Sequence, residues 1–281
     1  MINYFIWILV GVMYAPIFYK LYSGTTNWSG DYSHAYFILP ISLWLVWRKR
    51  TQLKELIKNR ETKSDNKIFT FLSFLLLLLG ILMFIFGWRR GYEFIILFSL
   101  IPLLYGLISY LYGSTITKTL WFPVFYLLFL VPPPAAILDS ITLPMRHGIS
   151  VATEAILAFL KYPITRDGLL LTIGYNEIFM GQPCSGLRSL ITMFSLVFVY
   201  VYISKSDLIK KLILTAFIIP IALLGNLVRV IALCLITFYF GEEAGQGFFH
   251  NFSGIVVFII AILGIIGVEA LLDKFFRREL K

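Results

Sequence analysis

The sequence predicts an all-α polytopic membrane protein, and three observations carry that prediction. Of its 281 residues, 59% are hydrophobic and only 14% charged, with a mean hydropathy of +0.85; a soluble domain carries about 25% charged residues. The apolar residues fall in long runs, near the roughly 20 residues that a helix needs to cross a bilayer. The basic residues gather between those runs, which is the usual bias of cytoplasmic loops. That bias also accounts for the excess of 24 Lys+Arg over 15 Asp+Glu. No basic strip with nucleic-acid motifs accompanies it, so the expected surroundings are membrane lipids and not nucleic acid.

Read in order, the runs give about eight transmembrane helices: 4–22, 34–48, 68–88, 93–112, 119–138, 187–204, 212–234 and 252–272. The first begins at Met1-Ile2-Asn3 with no basic segment before it and no small-residue cleavage site, so it reads as a retained helix. Segment 48–67 holds Arg48, Lys49, Arg50, Lys54, Lys58, Arg60, Lys63 and Lys67 against Glu55, Glu61 and Asp65. Under the positive-inside rule it is a cytoplasmic loop. Alternation from there puts both termini in the cytoplasm. Lys118, the group Lys205, Lys210 and Lys211, and the tail with Lys274, Arg277, Arg278 and Lys281 agree. Lys20, Arg89 and Arg90 fall on the other side and count against the scheme. No repeat is visible, and the chain reads as a single integral membrane domain, 1–281.

Segment 139–186 holds no convincing span and reads as extracytoplasmic. Residues 145–161 alternate small, polar and apolar positions like an amphipathic helix on the membrane surface. Next come Leu169-Leu170-Leu171-Thr172-Ile173, Gly174-Tyr175-Asn176 and Glu177-Ile178-Phe179-Met180. That pattern predicts a short β-hairpin turning on glycine and asparagine. The hairpin hands the chain to Gly181-Gln182-Pro183-Cys184-Ser185-Gly186-Leu187-Arg188.

Chemistry concentrates there. Cys184 stands just before a helix predicted from Leu187, and a helix N-terminus favours the thiolate. Arg188, one turn on, adds a full positive charge. Arg229, in Gly225-Asn226-Leu227-Val228-Arg229, lies 18 residues beyond Lys211, about 27 Å along a helix and near the far edge of a roughly 30 Å hydrocarbon core. His250 opens the last span on the same side and can exchange a proton near neutral pH. Thiol, imidazole and guanidinium suffice for acyl transfer through a cysteine, the guanidinium stabilising the oxyanion. Each has a plainer reading: arginine snorkelling to the interface, or histidine without a role. His34 and His147 are equally available as bases. The second cysteine, Cys234, sits in an unbroken apolar run and reads as a packing residue. No cluster has metal-ligand spacing, and no metal or cofactor is implied.

Pro183-Cys184-Ser185-Gly186-Leu187-Arg188-Ser189, then Asn226-Leu227-Val228-Arg229-Val230, then His250, resembles the exosortase/archaeosortase family. So does Asp31-Tyr32-Ser33-His34, followed by an apolar helix ending in Trp47-Arg48-Lys49-Arg50. The resemblance implies a membrane cysteine protease or transpeptidase of the inner membrane. Such an enzyme acts on exported proteins that carry a C-terminal sorting signal: a short motif, a transmembrane helix and a basic tail. It implies Cys184 as nucleophile, Arg229 as transition-state stabiliser and His250 as general acid/base. Arg188, Ser185, Asn226 and His34 would bind substrate or support the site, and the active site would face outward.

Two other classes compete. A transporter would place charges near the bilayer midplane on paired broken helices, whereas these charges lie toward the edge. A non-catalytic subunit of an envelope export or assembly complex would make Cys184 incidental. Serine and aspartyl intramembrane proteases are excluded, because neither Gly-x-Ser-x-Gly nor paired intramembrane aspartates occur.

Overall fold

The apolar runs fold as helices, the one open-ended structure that satisfies its own backbone in lipid. The computed structural model describes residues 2–23, 35–58, 67–132, 135–181, 187–204, 207–251 and 253–279. They form two compact units, Met1–Pro134 and Ala135–Lys281. Among the described residues, four helical runs are long and apolar enough to cross a membrane: Tyr4–Tyr22, Lys67–Arg90, Glu93–Leu130 and Leu208–Phe240. Shorter apolar helices cover Ala35–Arg48, Leu190–Ile203 and Ile262–Leu272.

The first unit comprises α1 (Ile2–Tyr22), α2 (Ala35–Arg48), α3 (Arg50–Lys58), α4 (Lys67–Arg90) and α5 (Glu93–Tyr126), followed by a 3-10 turn, Leu127–Leu130. Taken as one rod, Glu93–Leu130 would be about 57 Å long, far more than a bilayer core. It is not one rod. Gly113 has φ 81° and ψ 178°, a conformation that costs glycine little. Beyond it the chain folds back: Ser109 and Thr117 hydroxyls meet at 2.9 Å, and the Tyr105 hydroxyl donates to the Trp121 carbonyl. In a straight helix the last two positions would stand about 24 Å apart. Glu93–Leu130 is therefore a helical hairpin.

This corrects the span expected at 119–138. The second arm begins right after Gly113, and the helix ends at Leu130, with Val131 extended (φ −87°, ψ 116°). The Pro132-Pro133-Pro134 sequence explains the stop, because proline lacks the amide donor and disfavours helix in the residue before it.

Glycines let α4 and α5 approach closely. A Cβ at Gly80 would stand 2.6 Å from the Leu103 amide nitrogen, and one at Gly106 would strike the Leu77 backbone. Such small-residue contacts substitute for the hydrophobic drive that lipid does not supply. Helix α1 runs antiparallel to the first arm of α5. Trp7 donates to the Tyr112 hydroxyl at one end (3.0 Å), Tyr14 meets Ser99 midway (2.6 Å), and Lys20 pairs with Glu93 at the other end (3.3 Å). Glu93 thus offsets the Lys20 charge that sits awkwardly in the charge-bias scheme. Segment 48–67 is more than a loop: within it α3 packs Leu53 and Leu56 against a core with Ile108 and Ile116. Lys49 also donates to the Thr119 carbonyl at 2.7 Å.

The second unit begins with α6 (Ala135–Phe159), which starts ten residues before the helix expected at 145–161. A three-stranded antiparallel sheet follows, β1 (Ile164–Asp167), β2 (Leu170–Ile173) and β3 (Asn176–Phe179), in the order β1-β2-β3. The predicted hairpin is β2–β3, in register Ile173↔Asn176. Its turn is Gly174-Tyr175, with Gly174 at φ 60°, and Asn176 already belongs to β3. The all-α expectation missed β1, which pairs through Ile164↔Ile173 and Asp167↔Leu170. Helices α7 (Leu187–Ile203), α8 (Leu208–Phe240), α9 (Glu242–Asn251) and α10 (Ser253–Glu279) complete the unit.

Two cores hold it. Met193, Val197, Leu214, Ile218, Ile221 and Ala222 join α7 to α8, with Ile265 and Val268 of α10 alongside. At the other end of α8, Val230 and Cys234 pack with Ile149 and Leu157 of α6 and with Ile164, Leu171, Ile173 and Met180 of the sheet region. Cys234 is completely buried in that core, a packing residue as expected. The Tyr200 hydroxyl and Lys210 ammonium both donate to the Glu269 carboxylate, the latter at 3.5 Å, which ties α7, α8 and α10 together.

Candidate active site

Helix α8 is the ruler of the site. At 33 residues it is about 50 Å long, so a third of it extends past a bilayer-sized core. The sheet packs on that last third. Asn176 Nδ2 donates to the Thr237 carbonyl at 3.3 Å, and a Cβ on Gly174 would lie 3.2 Å from the Phe238 ring. Arg166 pairs with Glu154 at 2.9 Å, fastening β1 to α6. Tyr162 and Tyr239 hydroxyls share a hydrogen bond of 2.9 Å, and that bond chiefly holds the Tyr162 pKa above the ordinary phenol value. At neutral pH Tyr162 therefore stays protonated and offers no phenolate base.

Three backbone paths converge below the sheet. From Asn176 to Met180 a strand falls about 13 Å, and from Thr237 to Arg229 a helix falls about 12 Å. Met180, completely buried, joins the core containing Val230. The sheet thus delivers Gly181 to the level of Arg229. Helices α7 and α8 meet across the short connection 204–207 and pack antiparallel. Counting back from that connection, Leu187 stands about 24 Å along α7, level with Leu224. Along the axis the positive end of α7 is therefore about 3 Å from the level of Asn226 and about 7.5 Å from that of Arg229.

The third path is α9. Gly241 ends α8 at φ 88°, and α9 folds back so that a Cβ on Gly245 would strike the Thr237 hydroxyl. Five residues further, about 7.5 Å, the backbone of His250 comes level with Ala232, within about one turn of Arg229. Measured from the other side, Gly264 of α10 packs on Ile221, and α10 begins eleven residues earlier, about 16 Å up the bundle. Both paths bring the α9–α10 junction near Arg229. His250 belongs to the end of α9, a helix the sequence did not reveal, and not to the start of the last span.

Among the expected site residues, Arg229 is 7% exposed and Asn226 completely buried, on the α8 segment that faces this convergence. Burying a guanidinium carries a large desolvation cost, which marks Arg229 as more than a snorkelling side chain. The backbones of Arg188 (α7) and His250 (α9) are helical. Cys184, Ser185 and His34 lie outside the described residues. Sequence reasoning passed over a second buried guanidinium, Arg146 of α6, 7% exposed. Its signal was present: an arginine on the arc of α6 otherwise occupied by Thr142, Ile149 and Thr153. Among the described residues no three His, Cys, Asp or Glu side chains are placed to share a metal ion.

A model of the transmembrane exosortase family matches residues 26–267 of the chain. No curated protein and no solved structure matches it.

Proposed function

Because the chain belongs to the transmembrane exosortase family, we propose that it is a multi-pass cysteine transpeptidase or protease that removes the C-terminal sorting signal of exported proteins. The observation that carries the reading is the convergence on one stretch of α8, where the end of the sheet, the start of α7 and the end of α9 all come within about 8 Å of the level of the buried Arg229 along the helix axis. With the hairpin of Glu93–Leu130 opened into two spans, the apolar helices correspond to an eight-span arrangement. Both termini and the basic α3 region are then cytoplasmic, in the inner membrane, and the sheet faces outward.

In the proposed reaction the tail helix of the substrate lies among the enzyme's helices and presents its outer motif to Cys184. The thiolate, favoured by the N-terminus of α7, adds to the scissile carbonyl carbon. The carbonyl electron pair moves to oxygen, where the Arg229 guanidinium stabilises it. Collapse breaks the C–N bond, and His250 gives a proton to the departing amine. A thioester to the exported protein remains. Water or an amine then attacks it, with His250 as base, and the thiolate leaves. Arg188, Ser185, Asn226 and His34 support binding around this set.

The reading predicts a measurable product. Expressed together with an exported protein of the same genome that carries motif, apolar helix and basic tail, the enzyme shortens that protein by the mass of its tail segment. Intact mass analysis of the membrane and outer fractions checks this. An unchanged mass, with both proteins in one membrane, would favour the assembly-subunit reading instead.

A further inference from the structure

Arg146 is a buried guanidinium of the second unit that the mechanism leaves unused. It is 7% exposed, and its Nε is buried with no hydrogen-bond partner among the described residues. Among the described residues its Nη2 makes only long contacts, 3.4 Å to Asp139 Oδ1 and 3.4 Å to Thr142 Oγ1, and the Asp139 side chain is 53% exposed. A guanidinium withdrawn from water needs short, charge-assisted hydrogen bonds to several of its five donors. These contacts fall short of that.

Position says what the shortfall is for. At about 100° per residue, Thr142, Arg146, Ile149, Ser150, Thr153 and Leu157 occupy roughly one 100° arc of α6. All six are buried. Ile149 and Leu157 of that arc pack with Val230 and Cys234 of α8. One turn before Ile149, Arg146 faces the same seam, and Val230 is the chain neighbour of Arg229. A second orphan lies on the arc, for Thr153 Oγ1 is buried with no partner among the described residues. Ser150 between them is satisfied, donating to the His147 carbonyl at 2.8 Å. A planar oxygen acceptor laid beside Arg146 on this seam would offset its buried charge.

We propose that Arg146 is a substrate-binding residue, whose unfilled guanidinium edge receives an oxygen of the extended peptide beside the scissile bond, either a side-chain carboxylate or a backbone carbonyl. This rests on the proteolytic reading of the site. Arg229 acts on the reacting carbonyl, and Arg146 holds the flanking chain in register with it.

Arg146→Met separates this role from a structural one. A structural ion pair would lose stability on substitution. A binding group that is undercompensated in the free enzyme would not, because the Asp139 left behind is half exposed and stays hydrated. The experiment measures thermal unfolding of the full chain in detergent, and steady-state processing of a purified reporter. The reporter is an exported protein of the same genome with its C-terminal helix and basic tail. Expected are an unfolding temperature at or above that of the parent protein, a KM raised roughly 10- to 100-fold, and a kcat within a few-fold of the parent value. A folded Arg146→Met enzyme with the parent KM would overturn the inference. If this variant fails to fold, Arg146→Lys decides, since it keeps the charge and loses the fork: a raised KM supports the proposal and the parent KM overturns it. A reporter whose motif carboxylates are replaced by amides distinguishes the acceptors. The Arg146 effect disappears if the acceptor is a side chain and persists if it is the backbone. Cys184→Ala is run alongside. Processing by that variant sinks the function itself, whereas a normal KM in the Arg146 variants beside a dead Cys184→Ala sinks only the role of Arg146.

Discussion

Cys184→Ala should abolish processing, by a factor on the order of 10⁴ or more in kcat, and leave the protein folded with its ordinary unfolding temperature. Cys184→Ser should be almost as poor. A serine hydroxyl stays protonated where a thiol beside a helix N-terminus ionises, so the exchange keeps the shape and removes the nucleophile. Two apolar cores hold the second unit together. Those cores are built by Met193, Val197, Ile218 and Ile221 at one end and by Val230, Cys234, Leu171 and Met180 at the other. The contrasting control is Cys234, which is completely buried among apolar neighbours. Cys234→Ala removes one sulfur from that core and should cost some stability while processing continues. Reporter cleavage and thermal unfolding measured on the same preparations check both. Full cleavage by Cys184→Ala would remove the nucleophile from the account.

Arg229→Gln should lower kcat by about 10²–10³-fold, the usual consequence of losing one oxyanion donor and equivalent to about 2.7–4 kcal/mol of transition-state stabilisation. KM should change little, because the charge it stabilises exists only after the thiolate has added. Arg229→Lys keeps a positive charge but not the planar fork, and should fall between parent and Gln variant. The position is nearly closed to solvent, 7% exposed, so the polar, similarly long glutamine is preferred over alanine, which would add a cavity to the test. A snorkelling arginine would give a different result, with kcat kept and only the unfolding temperature moved. Arg146→Met is expected to show the reverse pattern, KM moving and kcat not. The two buried guanidiniums thereby separate binding from chemistry.

Much of this architecture was legible before any coordinates. Composition sets the membrane class, and the span ends expected at 22, 48, 88 and 204 fall within two residues of helix ends at Tyr22, Arg48, Arg90 and Ile203, because charge or turn residues punctuate the apolar runs there. The β2–β3 hairpin was legible from Gly174, whose positive φ a two-residue turn needs. Strand β1 was not, because Ile164-Thr165-Arg166-Asp167 has no apolar alternation of its own. It is a strand through pairing with β2 and through the Arg166–Glu154 contact. The early start of the second arm of α5 was hidden as well. Thr115, Thr117 and Lys118 read as loop, yet Thr117 and Thr119 bond back to the carbonyls of Gly113 and Thr115 and let polar residues continue a helix.

The site was legible in parts. Arg229 and Asn226 stood out as polar residues within one long apolar run, and both are buried on one helix. Helix α9 could not be foreseen, because Glu242-Glu243-Ala244-Gly245-Gln246-Gly247 carries two glycines and two acids and looks like a turn. It is helical because Gly241 reverses the chain and Gly245 then fits against Thr237. Arg146 went unnoticed for a related reason. A charged residue in an amphipathic pattern is read as part of the wet face, and only packing against α8 reveals that its arc is the buried one.

The central claim is that Cys184 carries the exported protein as a thioester during turnover. The direct measurement is intact and peptide-level mass spectrometry of the enzyme, quenched in acid while processing a reporter with a C-terminal sorting signal. The account predicts an adduct on the Cys184 peptide equal to the reporter without its tail, released by hydroxylamine and absent from Cys184→Ala. Continued cleavage with Cys184 unmodified, or with the adduct on another residue, would contradict it.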